Sequence, residues 1–180
     1  MRCRLVGSEM CIRDRLVTLL ALYACRSTSP IQQAENVDLN AFMGDWYVLA
    51  HIPTFIEDEA YNAVESYSRE SPQKIATTFR FNEADFNGEE KIYHPTGFVQ
   101  DESGAYWKMQ FLWPFKSEFI ISYVDADYQH TIIARSKRDY VWIMAREPVI
   151  DDDKLNQLID KVENLGYDRD EIRFVPQQPR

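Results

Sequence analysis

Three cysteines and three histidines are the side chains of this sequence best suited to nucleophilic or metal chemistry, and their spacing supports neither. Cys3, Cys11 and Cys25 all fall within the first 25 residues, so the rest of the chain has no thiol for a disulfide, a thiolate metal site or a cysteine nucleophile. His51, His94 and His130 are scattered, with no HxH or HxxxH pair to hold a metal. A catalytic serine needs a base within reach, and no Ser–His–Asp order stands out. What remains is binding chemistry. Large apolar side chains recur at period two in Trp107, Met109 and Phe111, and again in Tyr140, Trp142 and Met144. That period puts each trio on one face of a strand, where it can wall a cavity or pack a core.

The elements that must position these trios are strands. Aromatic residues make up 13% of the chain, a bias that suits pleated surfaces, and 180 residues allow one domain with a sizeable core. The formal net charge of −9, without a basic stripe, argues against nucleic acid and against electrostatic docking on anionic lipid. Apolar ligands remain compatible, and no metal or cofactor is implied.

The organising stretch is Gly44-Asp45-Trp46-Tyr47, which opens a strand to about Ile52. Trp46, Val48, Ala50 and Ile52 share one face; Tyr47, Leu49 and His51 take the other. On that alternation His51 points away from the barrel interior. Pro53–Glu59 reads as a loop around Phe55, and further strands follow over Tyr61–Arg69 and Ile75–Phe81. Glu90–Val99 is interrupted by Pro95 and Gly97, which makes it an edge, a bulge or two pieces. Ala105–Leu112, Phe119–Val124, Tyr128–Arg135 and Tyr140–Ala145 complete an antiparallel meander with short connections. About eight strands is the number that closes an up-and-down barrel around one small ligand and removes the exposed edges. The expected fold is therefore all-β.

Beyond Pro148, Leu155, Leu158, Ile159, Val162 and Leu165 form the apolar stripe of one C-terminal helix, N-capped by Asp151 and ended by Gly166. The stripe is expected to dock on the barrel exterior. A short final strand is expected over Glu171–Val175.

At the other end, Leu16–Ala24 is a nine-residue apolar run, the length of a signal-peptide core and far short of the ~20 residues of a membrane span. Leu22-Tyr23-Ala24-Cys25 resembles the bacterial lipobox, in which the cysteine is lipidated after cleavage. Residues 1–24 are thus expected as a signal peptide, 25–36 as a polar lipidated tether, and 37–180 as the domain. Val6–Asp14 resembles translated sequencing-adapter sequence, and residues 1–15 are assigned no function.

Gly44-x-Trp46 at the first strand, Asp127-Tyr128 between two late strands, and Arg146 after the eighth strand, followed by a single helix, together resemble the lipocalin family over about Val37–Gln178. Within it the chain is most similar to the bacterial outer-membrane lipoprotein lipocalins, through Trp113-Pro114-Phe115, Asp139–Ile143, the Gln177-Gln178-Pro179 ending and the lipobox. The resemblance implies an eight-stranded antiparallel barrel with Arg146 lying across the Trp46 indole at its closed end. It implies no catalysis. It also implies a fatty acid or lysophospholipid as ligand, an outer-membrane anchor through Cys25, a role in envelope maintenance, and in some relatives a homodimer. Trp107, Met109, Phe111, Tyr140, Trp142 and Met144 are the expected cavity wall.

Two other readings stay open at this stage. A barrel filled by its own side chains would act through its surface. An isomerase or haem-dependent catalyst on the same fold would need an activated nucleophile or an inward histidine.

Overall fold

Alternating residues from Gly44 onward become ten strands, and the chain closes them into a barrel of eight positions. The computed structural model describes residues 30–54, 57 and 59–178. The signal segment, Cys25, and Phe55 in the first loop lie outside the described residues. The strands are β1 (Gly44–Ile52), β2 (Ala60–Ser71), β3 (Lys74–Glu83), β4 (Glu90–Tyr93), β5 (Thr96–Val99), β6 (Tyr106–Leu112), β7 (Phe115–Val124), β8 (His130–Ala134), β9 (Val141–Ala145) and β10 (Arg173–Phe174). Neighbouring strands pair antiparallel, and β1 pairs with β9 to close the circle. Both β4 and β5 pair with β3, so the Glu90–Val99 stretch is two pieces of one barrel position. The interruption falls at Pro95, which has no N–H to give the ladder. Gly97 sits where Trp107 crosses: an added Cβ would come within 3.2 Å of that indole.

The interior is filled in the half nearer Gly44. Phe42, Trp46, Tyr67, Trp107, Phe119 and Ile75 pack there in one buried cluster. Phe42 comes from a one-turn helix, α1 (Leu39–Phe42), which no apolar period announces. Asp38 caps it by accepting from the Asn40 N–H at 2.8 Å.

A second cluster lies outside the barrel. α2 (Asp152–Asn164) buries Leu158, Ile159 and Val162 against Ala50, Ile132, Val141 and Ile143. Asp151 caps its start, and Gly166 follows its end at a φ of +91°. No helix among the described residues is long and apolar enough to cross a membrane. The stretch expected as a tether already joins the domain at its distal part: Ile31 is buried in the outer cluster, and the Ala34 N–H donates to the Ile121 carbonyl at 2.9 Å. The final strand is only two residues long, because Asp168 accepts from the Asp170 N–H and winds Arg169–Glu171 into a 3-10 turn.

Several pairings carry a register shift, and the one in β1 changes which residues face the interior near the cavity. The β1–β9 register shifts between Val48 and Ala50, a bulge that puts one extra residue in β1. Trp46 and Val48 face the interior, whereas Ala50 and Ile52 belong to the outer cluster under α2. His51 is consequently turned inward, opposite Trp142, and only 3% exposed. The outward placement expected from strict alternation is corrected: a one-residue slip exchanges the two faces. The tail holds this bulge. The Val175 N–H donates to the Leu49 carbonyl at 2.9 Å, and Gln177 Nε2 donates to the carbonyls of Val48 at 2.8 Å and Ala63 at 3.0 Å.

Candidate functional site

The two ends of the barrel differ in chemistry. At the closed end Arg146 lies over the Trp46 ring, its guanidinium carbon 3.8 Å from the ring centroid. The same guanidinium donates to the carbonyls of Ala41 (2.9 Å), Phe42 (3.1 Å) and Met43 (2.8 Å) at the C-terminus of α1. It also reaches Asp45 O at 2.7 Å and Tyr128 O at 3.2 Å. These are the orphan carbonyls that a helix end leaves behind, and a cation suits them. Trp46 Nε1 donates to Phe42 O at 2.8 Å, which ties the clasp to α1. Gly44 has a φ of +97°, and a Cβ there would meet the Arg146 guanidinium at 3.3 Å. Tyr128 accepts the Asp38 N–H at 2.7 Å through its hydroxyl. The Asp127 side chain is exposed. The turn is held instead by Asp125, whose carboxylate accepts from the N–H groups of Gln129 and His130 and meets His130 Nδ1 at 2.6 Å.

At the other end a cavity of about 490 Å³ opens between the strands. Its apolar wall is Phe79, Phe111, Leu112, Phe115, Tyr140 and Trp142. Of the six wall residues expected from the family resemblance, Phe111, Tyr140 and Trp142 lie on it. Trp107, Met109 and Met144 lie beneath it in the packed half, where Trp107 stacks on Phe119 at 5.0 Å and donates Nε1–H to Gly104 O at 2.7 Å. Thr77 Oγ1 meets the Met109 sulfur at 3.9 Å. Leu112 and Phe115 continue the apolar wall outward to the exposed turn at Trp113.

The polar part of the wall carries what the sequence reading missed. Glu57, from the β1–β2 loop, is 1% exposed and lines the cavity. Its Oε1 accepts from Trp142 Nε1 and from the Thr54 N–H, both at 3.1 Å. Burial pushes its carboxyl up to about 7, against the pull of those donors. His51 Nδ1 lies 4.0 Å from Glu57 Oε1. Deeper in, Glu65 faces inward beside Tyr67, whose hydroxyl donates to its Oε2. Burial pushes Glu65 up to about 8, and the nearby Glu57 charge adds to the shift. Glu65 was detectable, since it shares the inward period of Ala63 and Tyr67. Glu57 was not, because a loop has no period. Arg135 lines the mouth and pairs with Asp139 at 2.9 Å, 5.1 Å from the Tyr140 ring centroid. Among the described residues there is no group of three metal-capable side chains. The arrangement can enclose an apolar chain and present it with a few fixed polar groups.

A family model described as a lipocalin-like domain matches residues 37–177. The chain is 26% identical to the outer membrane lipoprotein Blc of Citrobacter freundii, over 86% of this chain and 89% of that protein. It is 25% identical to its Escherichia coli (strain K12) counterpart, over 87% and 89%, and 24% identical to temperature-induced lipocalin-1 of Arabidopsis thaliana, over 82% and 83%. Among solved structures, insecticyanin from the tobacco hornworm Manduca sexta superposes with a TM-score of 0.63 at 13% identity, covering 81% of this chain and 83% of that one. Lobster apocrustacyanin A1 gives 0.62 at 12% identity, covering 78% and 80%.

Proposed function

The chain belongs to the lipocalin family, and from that premise we propose that it binds and stores or carries a fatty acid or lysophospholipid in its barrel cavity. The cavity of about 490 Å³ with its mainly aromatic and aliphatic wall supports this reading most directly. Small-molecule pockets span roughly 300–1,000 Å³, and each methylene removed from water contributes about 0.8 kcal/mol. A single acyl chain suits such a space. The reading is of a carrier without catalysis.

The protein is further read as a lipoprotein, anchored through Cys25 in a bacterial outer membrane, facing the periplasm and serving envelope maintenance. The lipobox-like Leu22–Cys25 and the outer membrane lipoproteins among its relatives support this. Cys25→Ser, expressed behind a functional signal, should move the protein from the membrane to the soluble periplasmic fraction; continued membrane fractionation would refute the anchor.

Native mass spectrometry of residues 27–180, purified without detergent, tests the ligand. A fatty acid or lysophospholipid at one per barrel, or one per homodimer, is expected. An empty protein that also refuses a fluorescent fatty acid would shift the reading to a filled barrel acting through its surface.

A further inference from the structure

We propose that Glu57 makes the cavity selective for single-chain amphiphiles with an ammonium head over those with a free carboxylate. The inference rests on the cavity being the proposed amphiphile site and ranks the ligand classes proposed for it. A fatty acid, whose carboxylate meets Glu57, is the weaker, and a lysophospholipid with an ammonium head the stronger. Glu57 is the buried acid of the wall: it is 1% exposed, and its position is fixed by the Trp142 indole and the Thr54 N–H, both at 3.1 Å. Burial favours the neutral form of this carboxyl, and the two donors on one oxygen offset that in part; an ammonium entering the cavity would favour the ionised form further.

The other groups around it give a carboxylate little. Arg135 is the cation among the described lining residues, and Asp139 already neutralises it at 2.9 Å. Its Nε, buried without a hydrogen-bond partner, is a donor a ligand anion could reach only beside the Asp139 charge. From β2, Glu65 and Tyr67 add an acid and a hydroxyl; from β1, His51 stands 4.0 Å from Glu57; from the β8–β9 side come Arg135, Asp139, Tyr140 and Trp142. Acids outnumber cations in this set. A carboxylate placed here makes a like-charge pair with Glu57 in a medium where such pairs are costly.

The test uses dodecylamine, dodecanoate and 1-dodecanol against the mature chain, followed by calorimetry or tryptophan fluorescence at about pH 8. The amine is expected to bind about tenfold more tightly than the carboxylate. Glu57→Gln, which keeps an acceptor for Trp142 and Thr54, should bring the two within about threefold of each other and leave the alcohol unchanged. Lowering the pH to about 5.5 should weaken the wild-type preference in the same direction. A single-chain phosphoethanolamine distinguishes the source of the ammonium. If it loses affinity with Glu57→Gln, a zwitterionic lipid head is recognised; if only the amine does, a simple alkylamine is. An unchanged amine-to-carboxylate ratio in Glu57→Gln overturns the proposal while the cavity reading stands. Failure of all the probes to bind the wild type overturns both.

Discussion

Arg146 caps the end of α1, sharing the Phe42 carbonyl with the Trp46 indole. Three carbonyls of α1 converge on its guanidinium, and the Trp46 face covers it at 3.8 Å. Truncation to alanine takes the guanidinium from the Ala41 and Met43 carbonyls and removes the cation–π contact, so Arg146→Ala should cost about 3 kcal/mol. In a domain of this size that lowers the melting temperature by roughly 6–12 °C. Affinity for a fatty-acid probe should stay within about threefold, because the clasp sits at the end of the barrel away from the cavity. A melting temperature equal to the wild type would remove the clasp role. Trp142 makes the opposite case. It lies on the cavity wall, 4.9 Å from the Tyr140 ring centroid, and holds Glu57. Trp142→Ala should weaken the same probe on the order of tenfold, with the far-ultraviolet spectrum of the barrel retained. Unchanged affinity would take Trp142 out of the site.

The β1 bulge shows how far apart the determinants of one element lie. The extra residue leaves the carbonyls of Val48 and Leu49 short of ladder partners, and the tail supplies them through Gln177 and Val175. Gln177→Ala should therefore cost about 1–3 kcal/mol, read as a lower denaturant midpoint at unchanged m-value. An unaltered midpoint would mean that water replaces the side chain at no cost. This device also marks where reading the sequence stops. The strand positions were legible because alternation is local, and the Trp46–Arg146 pairing because a few rare residues recur in fixed order. Asp151 and Gly166 bracketed α2 for the same local reason. The inward turn of His51 depends on residues more than a hundred positions downstream. The depth of the cavity was hidden likewise: Phe42, Trp107 and Phe119 decide where the packed half ends, and that leaves Trp107, Met109 and Met144 below the wall. Glu57 sits in a loop, where no period announces a buried acid.

Among the described residues two acids, Glu57 and Glu65, lie in the interior, and they tie the stability of the molecule to pH. Glu57 and Glu65 are pushed up from 4.5 to about 7 and about 8, chiefly by burial. The folded chain thus holds protons that the unfolded chain releases at lower pH. Their contribution to stability is fully present below the ordinary carboxylate range and is lost as the pH rises through about 7 and about 8. Asp125 and Glu118 act in the opposite sense. The His130 pairing and N–H donors hold Asp125 below its usual range, and donors from Ser136 do the same for Glu118. Their stabilisation is present above the ordinary range and disappears only as the pH falls through their lowered values. The two sets together place the maximum in mild acid. Denaturant unfolding between about pH 5 and pH 9 should show the free energy falling to about pH 8 and flattening above it. Glu65→Gln keeps an oxygen for the Tyr67 hydroxyl but carries no proton to lose, so its profile should fall less steeply over that interval. A wild-type profile that is level across the range would show that water reaches these carboxyls in the folded barrel, and the interior acids would then be no store of pH dependence.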